Sequence, residues 1–153
     1  MILVLSLLIG GVAGLRAITA PAAVSWAAYL GWLTLHGTPL AFLGNAFAPW
    51  IISVLAIGEL IGDQLPKTPS RKVPVQFGTR ILTGALSGAA IAAPSGAMAL
   101  GICAGVVGAV IGTLGGAAAR GALTRAFGRD RPAALIEDVV AIGGALLIVC
   151  AVR

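Results

Sequence analysis

The sequence predicts an all-α, polytopic membrane bundle of five to six short, glycine-rich transmembrane helices. Three observations carry that expectation. Hydrophobic residues make up 59% of the chain and charged residues 10%, where a soluble domain has about 45–50% and 25%. The mean hydropathy is +1.05. Glycine is frequent, 22 of 153 residues, as suits helices that pack backbone to backbone in lipid. Ten Lys+Arg and five Asp+Glu cannot cover a soluble surface, and disorder requires low hydrophobicity. One transmembrane domain, residues 1–153, is expected.

A span needs about 20 mostly apolar residues. The apolar runs are residues 2–15, 18–35, 46–65, 77–93, 97–119 and 132–152. No basic stretch precedes the first run and more apolar sequence follows it, so it reads as a membrane segment rather than a signal peptide. It is short and flows into the second through Gly14-Leu15-Arg16. Two short spans, or one span and a re-entrant half-helix, both fit. Pro39 and Pro49 bracket the next connection, and Pro66, Pro69 and Pro74 hold the following one out of helix. Pro94-Ser95-Gly96 forms a tight turn. Asp130 is placed to cap the last helix, with Pro132 in its first turn.

Loop charge sets the orientation. Lys67, Arg71 and Lys72 fall in one connection and Arg120, Arg125, Arg129 and Arg131 in another, while connections 34–45 and 94–96 carry no Lys or Arg. The basic loops are therefore expected on the cytoplasmic side, with Arg16 beside them if both first runs span. Trp26, Tyr29, Trp32, Phe47 and Trp50 suit an aromatic belt at the outer interface. Both termini would lie outside, Arg153 being the exception to the charge rule. The net charge of +5 thus reads as topology beside an anionic leaflet, and no nucleic-acid partner is expected. Cys103 and Cys150 sit in apolar runs without metal-ligand spacing and read as small buried hydrophobes.

Two internal similarities suggest duplication. Gly14–Ala20 can be laid on residues 78–84, and residues 56–62 on 110–116. Duplication is common in transporters; coincidence in a narrow residue alphabet is the other reading. Glycines four apart recur at Gly10/Gly14, Gly58/Gly62, Gly84/Gly88, Gly101/Gly105 and Gly108/Gly112/Gly116. Each pair lets a helix approach closely, and at least one such face is available for a homo-oligomer.

Ionisable residues within apolar runs cost roughly 2.5–3.5 kcal/mol on insertion scales and are functional candidates. Glu59 follows an uninterrupted apolar stretch, and Asp63, four residues on, shares its helix face. They suit a proton- or cation-binding pair; alternatively, Glu59 pairs structurally with Arg16 or Arg80 while Asp63 is solvated. Glu137 and Asp138 open the last helix about 100° apart, so only one is expected to face inward, and both also complement a helix N-terminus. Arg16 and Arg80 stand near glycines at expected helix starts, where an anion or lipid phosphate binds or a snorkelling anchor sits. Catalytic triads, nucleotide loops and metalloprotease motifs are absent. No catalytic residue and no cofactor is expected, and whether a metal binds is left open.

Gly14-Leu15-Arg16-Ala17, the segment Gly58-Glu59-Leu60-Ile61-Gly62-Asp63-Gln64-Leu65-Pro66, the Thr68-Pro69-Ser70-Arg71 loop with Arg80, and Glu137-Asp138-Val139 occur in order along nearly the whole chain. Together they resemble the domain-of-unknown-function 4126 family of bacterial membrane proteins. The family pattern commonly has Ala-Asp-Lys-Ile-Pro where this chain has Gly62-Asp63-Gln64-Leu65-Pro66, so the lysine is lost. The resemblance implies a multi-pass protein of the bacterial inner membrane and supplies no substrate. The residues themselves favour a small transporter or channel-like protein for a small solute or ion. Glu59 and Asp63 would bind the proton or cation, balanced by Arg16 or Arg80. The alternatives are an intramembrane lipid-phosphate-modifying enzyme, using Asp63 with Lys67, Arg71, Lys72 and Arg80, and a structural or accessory subunit.

Overall fold

A computed structural model describes residues 1–63 and 73–153. The described chain is all-helical: α1 (Ile2–Leu15), α2 (Thr19–Tyr29), α3 (Ala48–Gly62), α4 (Pro74–Ala92), α5 (Met98–Phe127) and α6 (Asp130–Val152), with short 3-10 turns at Ala41–Gly44 and Ala93–Ser95. No strand occurs among the described residues. The basic Lys67, Arg71 and Lys72, with Pro66 and Pro69, lie outside them.

Successive helices run in alternating directions. Arg16 after α1, Asp63 after α3, Arg120 near the end of α5 and Asp130 at the start of α6 all meet at one end. At the other end the Arg153 guanidinium lies 5.3 Å from the Trp32 ring, and Trp26 meets Trp50 edge-on at 5.0 Å. α1 and α2 are thus two opposed segments joined at Arg16. α2 stops at Tyr29, well short of residue 35, because positive-φ Gly31 and Gly37 turn the chain. Leu33 and Leu35 then fold back as non-helical core residues.

α5 and α6, of 30 and 23 residues, are long and apolar enough to cross a membrane. Their apolar windows are only 28% and 33% buried, so most of that surface faces outward, with Ile111, Leu135, Val139 and Leu147 exposed. The core helix of a soluble protein would hide it, and this exposure is consistent with a membrane protein. Cys103 and Cys150 are also exposed rather than buried, because each lies on the outward side of its helix.

The interior is built on backbone contact among α1, α4 and α5, whose interfaces are the most extensive. A Cβ added at Gly101 would run into Gly88 O, one at Gly105 into Gly84 O, one at Gly108 into Leu7 O and one at Gly112 into Gly11 O. α5 therefore presents two adjacent small-residue stripes, one to α4 and one to α1. Ser6 Oγ donates to Gly88 O at 3.0 Å and Thr113 Oγ1 to Gly14 O at 3.3 Å, tying helices that have little side-chain bulk between them. The Gly58/Gly62 pair is not used in this way: a Cβ at Gly58 would meet nothing within 4 Å among the described residues.

Two further expectations are corrected. α5 does not stop at residue 119 but continues to Phe127, because Arg120 and Arg125 find side-chain or solvent positions without breaking the helix; Gly128 ends it at φ 66°. Asp130 does not cap α6, whose N-cap is Arg129 without a side-chain cap. The matched segments at residues 14–20 and 78–84 also differ in backbone: Arg16 is extended (φ −136°, ψ 111°), whereas Arg80 lies inside α4. The packing yields a direct contrast. Gly105→Ala should destabilise the protein by about 1–3 kcal/mol through overpacking, whereas Gly115→Ala, where nothing lies within 4 Å among the described residues, should be neutral or mildly stabilising. Thermal unfolding of detergent-solubilised variants measures both.

Candidate functional site: a buried arginine–carboxylate cluster

The site begins with a broken path. α1 ends at Leu15 and α2 starts at Thr19, leaving orphan carbonyls on one side and orphan N–H groups on the other. Both sets face the interior, and two side chains satisfy them. Arg80 Nη1 donates to Gly14 O at 2.8 Å and Leu15 O at 2.5 Å. Glu59 accepts from the Ala17 N–H at 2.7 Å and the Ile18 N–H at 2.8 Å, one bond to each carboxylate oxygen. A carboxylate is well placed there, since the α2 N-terminus carries partial positive charge. Arg80 Nη2 and Glu59 Oε1 lie 3.9 Å apart.

Arg16 lies at the break and is fully buried, 0% exposed. Its Nη1 donates to Asp63 Oδ2, and its Nη2 lies 2.5 Å from Asp138 Oδ1. One guanidinium therefore sits between two carboxylates from α3 and α6. Arg120 extends the network. It holds Asp130 with a bidentate pair at 2.9 and 2.6 Å and approaches Glu137 at 3.5 Å and Asp63 at 3.6 Å. Thr124 Oγ1 also donates to Asp130, at 3.1 Å.

All six residues singled out in the sequence thus meet at the break, in two adjacent sets: Glu59 with Arg80, and Arg16, Asp63, Glu137 and Asp138 with Arg120. Glu59 stands beside Arg80, as one of the two expectations had it, and the other pairings differ. Asp63 is ion-paired, and Glu59 is bound chiefly to backbone. Arg80 is not at a helix start facing lipid phosphate; it is 2% exposed inside α4. Glu137 and Asp138 are both buried, because the 100° between them is taken up by two different partners, Arg120 and Arg16. The sequence reading missed Arg120 as a member. Its spacing was the available signal: Gly108, Gly112, Gly116 and Arg120 follow one another at intervals of four on one helix face. No group of three metal-ligating side chains suited to an ion occurs among the described residues.

Fold and site together define a helical membrane protein with its acidic side chains gathered at one end around buried arginines. Compared with known proteins, residues 3–151 match the family model described as Domain of unknown function (DUF4126). The chain belongs to that family. No curated protein and no solved structure matches it.

Removing one partner of a buried ion network leaves uncompensated charge and typically costs about 3–5 kcal/mol. Arg16→Gln should therefore lower stability by that amount, and adding Asp138→Asn should recover part of the loss. Thermal unfolding of the two variants beside the wild type gives the comparison.

Proposed function

We propose that the protein is a small multi-pass transporter or channel-like protein of the bacterial inner membrane, folded as one domain over residues 1–153. In this reading it moves a small solute or ion by way of the carboxylates around Arg16. The observation that carries it is the gathering of all five acidic side chains of the chain with Arg16, Arg80 and Arg120. Ionisable residues inside membrane proteins mark ion and proton paths. Among the described residues five carboxylates gather with three guanidiniums, and a proton or small cation completes the balance. The break between α1 and α2 adds support, because interrupted helices build many transporter sites.

α1 to α4 then cross the bilayer with α5 and α6. α1 and α2, of 14 and 11 residues, are about 21 Å and 16 Å long. Both fall short of a hydrocarbon core of about 30 Å, which sets the cluster at their junction below the membrane surface. The outer face of α3, with Ile51, Val54, Leu55 and Ile61 exposed around Gly58, supports a homo-oligomer. Gly10, Gly14, Gly84, Gly88, Gly101, Gly105, Gly108 and Gly112 pack against backbone within the chain, whereas a Cβ at Gly58 would meet nothing within 4 Å among the described residues. Gly58→Leu should convert the oligomer to monomer in native mass spectrometry without loss of folding; an unchanged subunit count would exclude that face.

One observation favours a second reading, a structural or accessory subunit: Glu59 and Arg80 bind mainly backbone at the break, as a purely architectural lock would. Flux separates the two. In proteoliposomes with an imposed ion gradient, Asp138→Asn should reduce proton or cation flux per folded protein at least tenfold, the folded fraction and the lowered unfolding midpoint being measured in parallel. Equal flux in variant and wild type, or none in either, would overturn the transport reading.

A further inference from the structure

Thr19 breaks a rule that the other buried hydroxyls keep. Ser6, Ser25, Ser87 and Thr113 each donate to a carbonyl. Thr19 Oγ1 is buried without a hydrogen-bond partner among the described residues, and the residue is 7% exposed. A threonine one turn into a continuous helix would bond the carbonyl three or four residues back. Here the extended backbone at Arg16 interrupts that path, and Leu15 O already accepts from Arg80. An unpaired buried hydroxyl costs about 1–3 kcal/mol, so a partner is expected.

Thr19 lines a cleft of about 220 Å³ between α2, α3 and α6. Along α2 the lining residues Thr19, Ala22, Ala23 and Trp26 form one stripe, about 10 Å long at 1.5 Å per residue. The walls are apolar. At the far end Trp26 Nε1 donates to Ser53 Oγ at 3.0 Å. The Thr19 end adjoins the charge cluster: Arg16 lies three residues before Thr19 across the break between α1 and α2, and Asp138 lies one turn before the lining residue Ile142 on the same face of α6. Among the described residues Asp138 Oδ1 is held only by its ion-pair contact with Arg16. An apolar cleft with a few convergent polar groups is the usual form of a small-molecule site.

The geometry points to this cleft as the binding site for a small organic cation with an apolar tail, its ammonium head at Thr19 beside the Arg16 triad and its tail along the alanine stripe toward Trp26. The head's sign follows from the balance of the cluster, where five carboxylates meet three guanidiniums, Arg16, Arg80 and Arg120, among the described residues. The assignment rests on the transport reading by naming the substrate class of that site, and its test reads binding separately from flux.

The probe is n-hexylammonium, with hexanol and hexanoate as neutral and anionic counterparts. The indole N–H resonance of Trp26, assigned with Trp26→Phe, reports occupancy in ¹⁵N-labelled full-length protein. Hexylammonium should shift that resonance saturably, hexanol at least tenfold more weakly, and hexanoate not at all. Thr19→Val should weaken hexylammonium about tenfold and Thr19→Ser should restore it, with unfolding midpoints showing that both variants fold. Equal affinity for the three probes, tighter hexanol or hexanoate, or affinity indifferent to Thr19→Val would overturn the assignment. So would native mass spectrometry showing the cleft held by a phospholipid that hexylammonium cannot displace. Saturable binding without Asp138-dependent flux would instead sink the transport reading and leave the site; flux without binding would do the reverse.

Discussion

The interruption between Leu15 and Thr19 is the constraint on which the rest of the cluster depends. Ending one helix and starting another exposes carbonyls on one side and N–H groups on the other, and here both are carried into an apolar interior. Left unpaired, each would cost free energy comparable to a lost hydrogen bond. Arg80 supplies donors to Gly14 and Leu15, and Glu59 supplies acceptors for Ala17 and Ile18. Two charged side chains that would be expensive alone become the complement of a backbone break. Their own opposite charges then lie within 3.9 Å.

That arrangement requires α1, α3 and α4 to hold their register, and glycine does this. Close contact between α1, α4 and α5 leaves almost no rotamer freedom at the interface. Backbone set against backbone fixes helix positions more tightly than long side chains would, because there is little to repack. The fixed register brings Arg16 to Asp63 and Asp138, and lets Arg120 reach three elements at once. A buried ion network of this kind is weak evidence for net stability. What it does fix is which helix faces which, since Arg16 and Arg120 each bind carboxylates from more than one element.

The fold was legible in the sequence to the extent that hydropathy governs it. The first helix matches its apolar run, and α3, α4 and α6 differ by a few residues at their ends. α2 was overestimated because Leu33 and Leu35 are apolar for packing as irregular chain. α5 was underestimated because Arg120 and Arg125 looked like a loop, although Arg120 continues the glycine stripe onto the packed face. The site was legible as a list of residues, since a charge within an apolar run stands out whatever its partner. Who pairs with whom was not legible. Pairing depends on helix rotation and register, and Glu59, Asp63 and Arg80 offered several combinations of equal sequence merit.

The sequence by itself determined that the chain is helical and apolar on its outside, that its charges are few, and that glycine stripes mediate close packing. These follow from composition and periodicity, which act locally. Only the tertiary structure decided that α1 and α2 meet at an extended arginine, that Glu59 and Arg80 seal the break, and that Asp138 shares Arg16 with Asp63. It also decided that Thr19 faces a cleft with nothing to bond. The physical reason is that hydrogen-bond satisfaction in a buried site is settled by atoms tens of residues apart, and only close-packed helices fix where those atoms stand.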